Sequence, residues 1–159
     1  MCPTPFLRQI LKPLSSDAYN GRTALINAAF GSPFESITDN LTFLIEAGAD
    51  VNAADVNGTT ALMSCCSRRD TDPRPGVDIL AGSGADKNMQ DQVGWCPMHY
   101  AVMFGEEKKL RRVIPHLVQL GFDPTIKNKK GQTSFDLARE RKKQGSKALF
   151  FLESAVDGK

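Results

Sequence analysis

No stretch of this 159-residue chain approaches the roughly 18 consecutive apolar residues of a membrane-spanning helix. A membrane span is therefore not expected. No Cys-x-x-Cys pair occurs, so the usual spacing of a structural zinc site is missing. The four cysteines, Cys2, Cys65, Cys66 and Cys96, do not form a disulfide framework. Adjacent Cys65 and Cys66 rarely bond to each other, and a reduced, cytoplasmic setting fits better. The first residues, Met-Cys-Pro-Thr-Pro-Phe, have no basic flank followed by an apolar run, so no secretory signal is expected. No glycine-rich phosphate loop is present. Aromatic residues make up 8% of the chain, with one Trp. None is interleaved with the basic residues to form a stacking platform for single-stranded nucleic acid.

The chain is long enough for one domain with a continuous core. Its net charge of +2 hides an asymmetry. Residues 1–105 carry a balance of −4 and residues 106–147 a balance of +7. One end of the molecule is expected to be acidic and the other basic.

The organising feature is internal periodicity, which is tested before any other pattern. Leu44 to Leu62 reads as a helix end at Gly48, a tight turn centred on Asp55-Val-Asn-Gly58, and a new helix from Thr60. Glycine suits both places because it adopts positive φ at little cost. The turn glycines Gly21, Gly58, Gly94 and Gly131 follow one another at steps of 37, 36 and 37 residues. The helix-ending glycines Gly48, Gly84 and Gly121 each precede the next turn glycine by 10 residues. Spacing held fixed through the turn marks a unit of one geometry.

Each turn glycine opens a recurring phrase. These are Gly21-Arg-Thr-Ala-Leu-Ile-Asn-Ala-Ala29, Gly58-Thr-Thr-Ala-Leu-Met-Ser-Cys-Cys66, Gly94-Trp-Cys-Pro-Met-His-Tyr-Ala-Val102 and Gly131-Gln-Thr-Ser-Phe-Asp-Leu-Ala138. A second block has the form Leu41-x-x-Leu44-Ile45, Val77-x-x-Leu80-Ala81 and Ile114-x-x-Leu117-Val118, and leads to Gly-Ala-Asp or Gly-Phe-Asp. Together these resemble the ankyrin repeat, over roughly residues 17 to 156. The resemblance implies an all-α solenoid of four helix-turn-helix units joined by hairpin loops. The units are expected at about 17–54, 55–90, 91–127 and 128–156, with an N-terminal capping helix at 4–12. An ordinary ankyrin unit has a period of about 33 residues. The surplus here is placed between the two helices of a unit, around 32–35, 69–76 and 106–109.

The helix pairs are expected at 23–30 and 33–47, 60–68 and 75–83, 97–104 and 107–120, and 133–143 and 146–156. Ser32-Pro-Phe-Glu35 is a capping box with Pro at the first helical position. Pro115 is expected to bend its helix. Leu25, Leu62, Met98 and Phe135 are expected to stack in one row, and Leu44, Leu80 and Leu117 in another. Arrays of this kind are stable only as stacks, because each unit leaves an apolar face to its neighbour.

Cys96 and His99 stand three apart, the spacing of a thiol beside a base. The same two residues fill the cap positions of the repeated phrase, and no third orienting residue accompanies them. Cys65 and Cys66 stand where the phrase wants small buried residues. No catalytic residue, metal ligand or cofactor is therefore assigned. The resemblance instead implies protein–protein recognition through hairpin tips and the exposed side of the first helices. The candidate partner-binding residues are Tyr19, Arg22, Val56, Thr59, Arg68, Val93, Trp95, Met103, Phe104, Lys129 and Lys130, with Arg69 nearby. Trp95 is expected to be exposed at the apolar centre of the contact, with Val93, Met103 and Phe104. Exposed Trp, Tyr and Arg are the residue types that dominate binding energy. A monomeric, stand-alone regulator or inhibitor of a partner protein is the expected form. The second reading is nucleic acid or acidic lipid, met by Lys127, Lys129, Lys130 and the basic stretch 139–147. Asn52 stands where ankyrin repeats carry an asparagine that intracellular hydroxylases modify, a position that is also structural.

Overall fold

The computed structural model describes residues 21–31, 34–69, 71–142 and 145–158, with backbone only for 34–36. The expected N-terminal cap at 4–12, Tyr19, and the capping-box residues Ser32 and Pro33 lie outside the described residues. Within them the chain is all-helical: α1 (Ala24–Gly31), α2 (Phe34–Glu46), α3 (Ala61–Cys66), α4 (Arg74–Gly82), α5 (Pro97–Phe104), α6 (Glu107–Gln119), α7 (Ser134–Lys142) and α8 (Ala148–Asp157). Extended pairing among the described residues is confined to one isolated bridge, Ala54 with Thr60. The first helices pack in a row, α1 on α3 on α5 on α7. The second helices back this row, with α2 against α4 and α6 against α8.

Local chemistry sets the first-helix starts. Thr23 and Thr60 accept the amides of Ile26 and Met63 at 3.1 and 3.3 Å. Thr133 and Asp136 cap each other reciprocally, Asp136 N–H to Thr133 Oγ1 at 3.3 Å and Thr133 N–H to Asp136 Oδ2 at 2.9 Å. A side-chain oxygen at the N-cap takes up an amide that has no partner within the helix.

The hairpins are built by one acceptor each. Asp55 Oδ1 receives the amides of Asn57 and Thr59, both at 2.8 Å. Asp91 Oδ1 receives Val93 and Trp95 at 2.9 and 2.8 Å, and Asn128 Oδ1 receives Lys130 and Gln132 at 2.9 and 3.0 Å. Neighbouring hairpins are joined by Gln92 N–H to Asn57 O and Lys129 N–H to Val93 O, at 2.9 and 3.1 Å. One level away, Asn52 accepts the Asp86 amide at 2.7 Å and donates to Gly84 O at 3.3 Å, while Asn88 accepts the Asp123 amide at 3.1 Å. Asn52 thus ties one unit to the next through both ends of its amide.

The core runs between the rows. Leu25, Leu62, Met98, Leu80, Ile114 and Leu117 are fully buried. Burial of each such side chain stabilises the stack by roughly 1.5–3 kcal/mol. Two expected row members differ. Phe135 and Leu44 are only partly buried, and Leu137 with Ala138, and Ile37 with Leu41, hold the buried positions instead. α7 packs on α5 and α8, with no further unit among the described residues beyond it, which leaves Phe135 half covered.

Two element boundaries differ by more than one residue. α3 stops at Cys66, where Ser67 Oγ donates to Ser64 O at 2.8 Å and takes over a helix-end carbonyl. α8 begins at Ala148, with Lys147 at the cap position and Ser146 Oγ just ahead of it accepting the Ala148 amide at 3.1 Å. α6 contains Pro115 and continues past it to Gln119. In the second unit α3 and α4 are set apart by 67–73, of which Asp70 lies outside the described residues, whereas in the first and third units the second helices are each 13 residues long.

Candidate functional site

Counting from each turn glycine, the residues one, six, and nine or ten positions on share one side of the first-helix row. These include Arg22 and Phe30, then Thr59, Ser64, Ser67 and Arg68, then Tyr100 and Phe104. Together with Arg69 they line a cavity of about 460 Å³. The volume lies in the range of ligand pockets, about 300–1,000 Å³.

An aromatic wall closes one side. Trp95 meets Tyr100 edge-on at 5.5 Å between ring centroids and lies 5.8 Å from Phe104, and Tyr100 lies 5.8 Å from Phe104. Trp95 also stacks on His99 at 6.3 Å. The Tyr100 hydroxyl donates to Asp91 Oδ2 at 2.8 Å. Burial and then that carboxylate push its pKa up to about 12, so it stays a neutral donor.

Guanidinium groups supply the rest. Arg22 stands 5.0 Å over the Phe30 ring and Arg69 stands 5.6 Å over Phe104, within cation–π range. Arg68 is fixed by donating from Nη1 to Ala29 O at 3.1 Å and from Nε to Thr71 Oγ1 at 2.6 Å. Among the described residues lining the cavity there is no Asp or Glu. Asp55 lies behind Arg22 at 3.8 Å with its side chain 2% exposed.

Four of the expected contact residues, Arg22, Thr59, Arg68 and Phe104, come together here. Trp95 corrects the expectation: it is partly buried and packed on the core, because its indole is sandwiched among His99, Tyr100 and Phe104. It supports the wall rather than protruding from it. Met103 is likewise partly buried against the core. Val56 and Val93 sit at hairpin tips, 58% and 57% exposed. Lys129 and Lys130 are exposed on the last hairpin, outside the cavity lining. Sequence reasoning passed over Phe30, Ser64, Ser67 and Tyr100, although the register that located Met103 and Phe104 also reaches them. Phe30 is 54% exposed, an unusual place for a large apolar side chain next to a cationic one.

The Cys96–His99 pair is a helix cap. His99 Nε2 lies 3.2 Å from the Gln132 carbonyl, which can only accept, so Nε2 carries the proton. Nδ1 then accepts the Cys96 amide at 3.2 Å and faces its Sγ at 2.9 Å. Burial raises the thiol pKa and lowers that of the imidazole. A neutral thiol donating into a neutral ring, both 0% exposed, is poorly suited to nucleophilic attack. Burial also lifts Cys65 to about 12 and Cys66 well above the usual thiol range. No cluster that could hold a metal ion occurs among the described residues. Of the basic stretch, Arg141 is committed to the Val102 and Gly105 carbonyls and Arg139 pairs with Asp136 at 3.0 Å. No helix among the described residues is long and apolar enough to cross a membrane.

The ankyrin repeat family model matches residues 20–56. Protein phosphatase 1 regulatory subunit 12A of Mus musculus is 34% identical over 84 residues, 53% of this chain and 8% of that protein. Ankyrin repeat domain-containing protein 63 of Mus musculus is 31% identical over 125 residues, 78% of this chain and 31% of that protein. Palmitoyltransferase AKR1 of Lachancea kluyveri is 28% identical over 106 residues, 67% of this chain and 13% of that protein. The chain thus spans less than a third of the length of each of these relatives. Ankyrin repeats are protein–protein interaction modules and in general carry no catalysis themselves. The repeated phrase, the stacked helix pairs and these matches agree: the chain belongs to the ankyrin-repeat family.

Proposed function

We propose that this chain is a non-enzymatic recognition module that holds a partner protein against the first-helix row and the hairpin tips, acting as a monomeric cytoplasmic regulator or inhibitor. The observation that carries this reading is the cavity walled by Tyr100, Phe104 and Phe30 and rimmed by arginines. Aromatic and Arg side chains grouped in one concavity have the composition of an interface centre. The exposed Val56 and Val93 extend the same surface along the hairpins. The free thiols Cys65, Cys66 and Cys96 suit a reducing compartment.

Capture from the native source, followed by mass spectrometry, tests the reading. The double variant Phe104→Ala/Val93→Glu should lose the partner while keeping the wild-type helical circular dichroism. Phe43→Ser should retain it, because Phe43, though 68% exposed, lies on α2 in the second-helix row. Loss with Phe43→Ser alone places the contact on the wrong face. Loss with Lys127→Gln/Lys129→Gln/Lys130→Gln alone favours the basic-end reading.

A further inference from the structure

We infer that the outer face of α6, with the start of α8, is a docking surface for a membrane leaflet rich in anionic lipid. Lys108, Arg111 and Arg112 are exposed on α6. Side chains three and four apart on a helix have Cβ atoms about 5–6 Å apart, so both arginines neighbour Lys108. Leu110, Val113, Ile114 and Leu117 hold the buried side of α6, which turns the three cations outward. None of the three forms a side-chain hydrogen bond or ion pair with a described residue. The acids around them are already bonded. The carboxyl of Asp72 is held below its usual range by Arg74 first and also by Arg112, and Arg74 grips it at 2.5 Å. Glu106 is held low by Lys109 first and also by Lys108, and Lys109 pairs with it at 3.0 Å. Asp78 meets His116 at 2.6 Å. Glu107 accepts the Ser146 hydroxyl at 2.7 Å and the Lys147 amide.

That last contact places the start of α8 beside the first turn of α6. Lys147 is exposed there, and Phe150, 64% exposed, follows it within one turn of α8. The exposed acids of α8, Glu153 and Asp157, lie one and two turns farther along. The outline selects among polyanions. A single-stranded nucleic acid is held in a groove that tracks its backbone, with rings for its bases. Here the cations stand on the crest of a helix, and a crest meets a plane. Lys and Arg beside an anionic leaflet are attracted to its headgroups. An exposed Phe next to them enters the boundary between headgroups and acyl chains. The second helices back the first-helix row, so a leaflet held here leaves the cavity and the hairpin tips open to a partner.

Co-sedimentation of the full chain with lipid vesicles tests this. Phosphatidylcholine vesicles with about a quarter phosphatidylserine should bind it, phosphatidylcholine vesicles should not, and salt should weaken the binding. Lys108→Gln/Arg111→Gln/Arg112→Gln, which places a good helix former at each site, should lower the affinity roughly tenfold or more. Phe150→Ser keeps every cation and should lower it severalfold with the salt dependence unchanged. That variant covers the case in which the triple variant unfolds. Lys127→Gln/Lys129→Gln/Lys130→Gln should change nothing. The inference is overturned by no binding to the anionic vesicles, by equal binding to the neutral ones, or by wild-type affinity in the 108–112 variant. Loss only in the 127–130 variant, or tighter binding to single-stranded RNA than to vesicles, overturns it as well. So does loss of the natively captured partner in the 108–112 variant, which would make α6 a protein contact. If the anionic vesicles fail while capture remains sensitive to Phe104→Ala/Val93→Glu, recognition stands and the lipid surface falls.

Discussion

Gly94 and Gly131 occupy the same place in successive hairpins, with φ of 81° and 76°, but among the described residues only Gly94 has a hairpin beyond it. A Cβ at Gly94 would meet Lys129 N at 2.6 Å and Asn128 Cα at 3.0 Å, whereas a Cβ at Gly131 meets nothing within 4 Å. Alanine at either site takes on the left-handed strain, about 1–2 kcal/mol, offset by about 0.4–1 kcal/mol from a stiffer unfolded chain. Gly131→Ala should therefore cost about 1 kcal/mol. Gly94→Ala must also push the next hairpin away. That adds the Lys129-to-Val93 hydrogen bond, about 1 kcal/mol, and an overpacking cost of about 1–3 kcal/mol. The expected total is about 3–5 kcal/mol. Urea unfolding with matched slopes reads the difference directly. Costs that agree to within about 0.5 kcal/mol, the usual spread for surface changes, would refute the claim that hairpin-to-hairpin contact holds the stack together.

Asp91→Ala removes an acceptor from two turn amides and from the Tyr100 hydroxyl, so thermal unfolding should show a loss of about 2–4 kcal/mol. Asp91→Asn should cost markedly less, since Asn128 performs the same task in the last hairpin. Asn52→Ala should lower stability by about 1–2 kcal/mol through the lost bonds to Gly84 and Asp86, measured by the same melts. Cys65, Cys66 and Cys96 are buried and should react with a thiol reagent only after unfolding; fast labelling of any of them in the native protein contradicts the packing. Because the folded Tyr100 has its pKa pushed up to about 12 and the unfolded one titrates near 10, the unfolded chain gives up its proton first. Stability should fall as pH rises through that window, seen as denaturation midpoints measured beside an absorbance titration. For His99 the folded pKa is depressed, so stability should fall as pH drops below the ordinary imidazole value near 6.5.

Much of the scaffold was readable because the repeat imposes it. Fixed intervals between Gly48 and Gly58, Gly84 and Gly94, and Gly121 and Gly131 located the turns without tertiary knowledge, and α5 falls where Pro97 and Phe104 bound it. The exceptions arise where neighbours decide. Phe135 was placed in a buried row, yet among the described residues the last unit is covered on one side only. α3 ends early because Ser67 bonds back to Ser64, a choice that propensity does not reveal. At the site, register alone brought Arg22, Thr59, Arg68 and Phe104 together. It did not reveal that Trp95 turns inward, because indole orientation depends on His99, Tyr100 and Phe104 from the following helix. Nor did it show Arg22 lying over Phe30 within its own unit, or Arg69 over Phe104 across two units.

Hydrogen exchange of the chain alone and bound to its captured partner addresses the recognition surface most directly. Added protection is expected at the end of α1, in the connection 67–73, along α5 and at the hairpin tips around Val56 and Val93. Protection confined to α2 and α8, or to the basic hairpin at 127–131, would contradict the account.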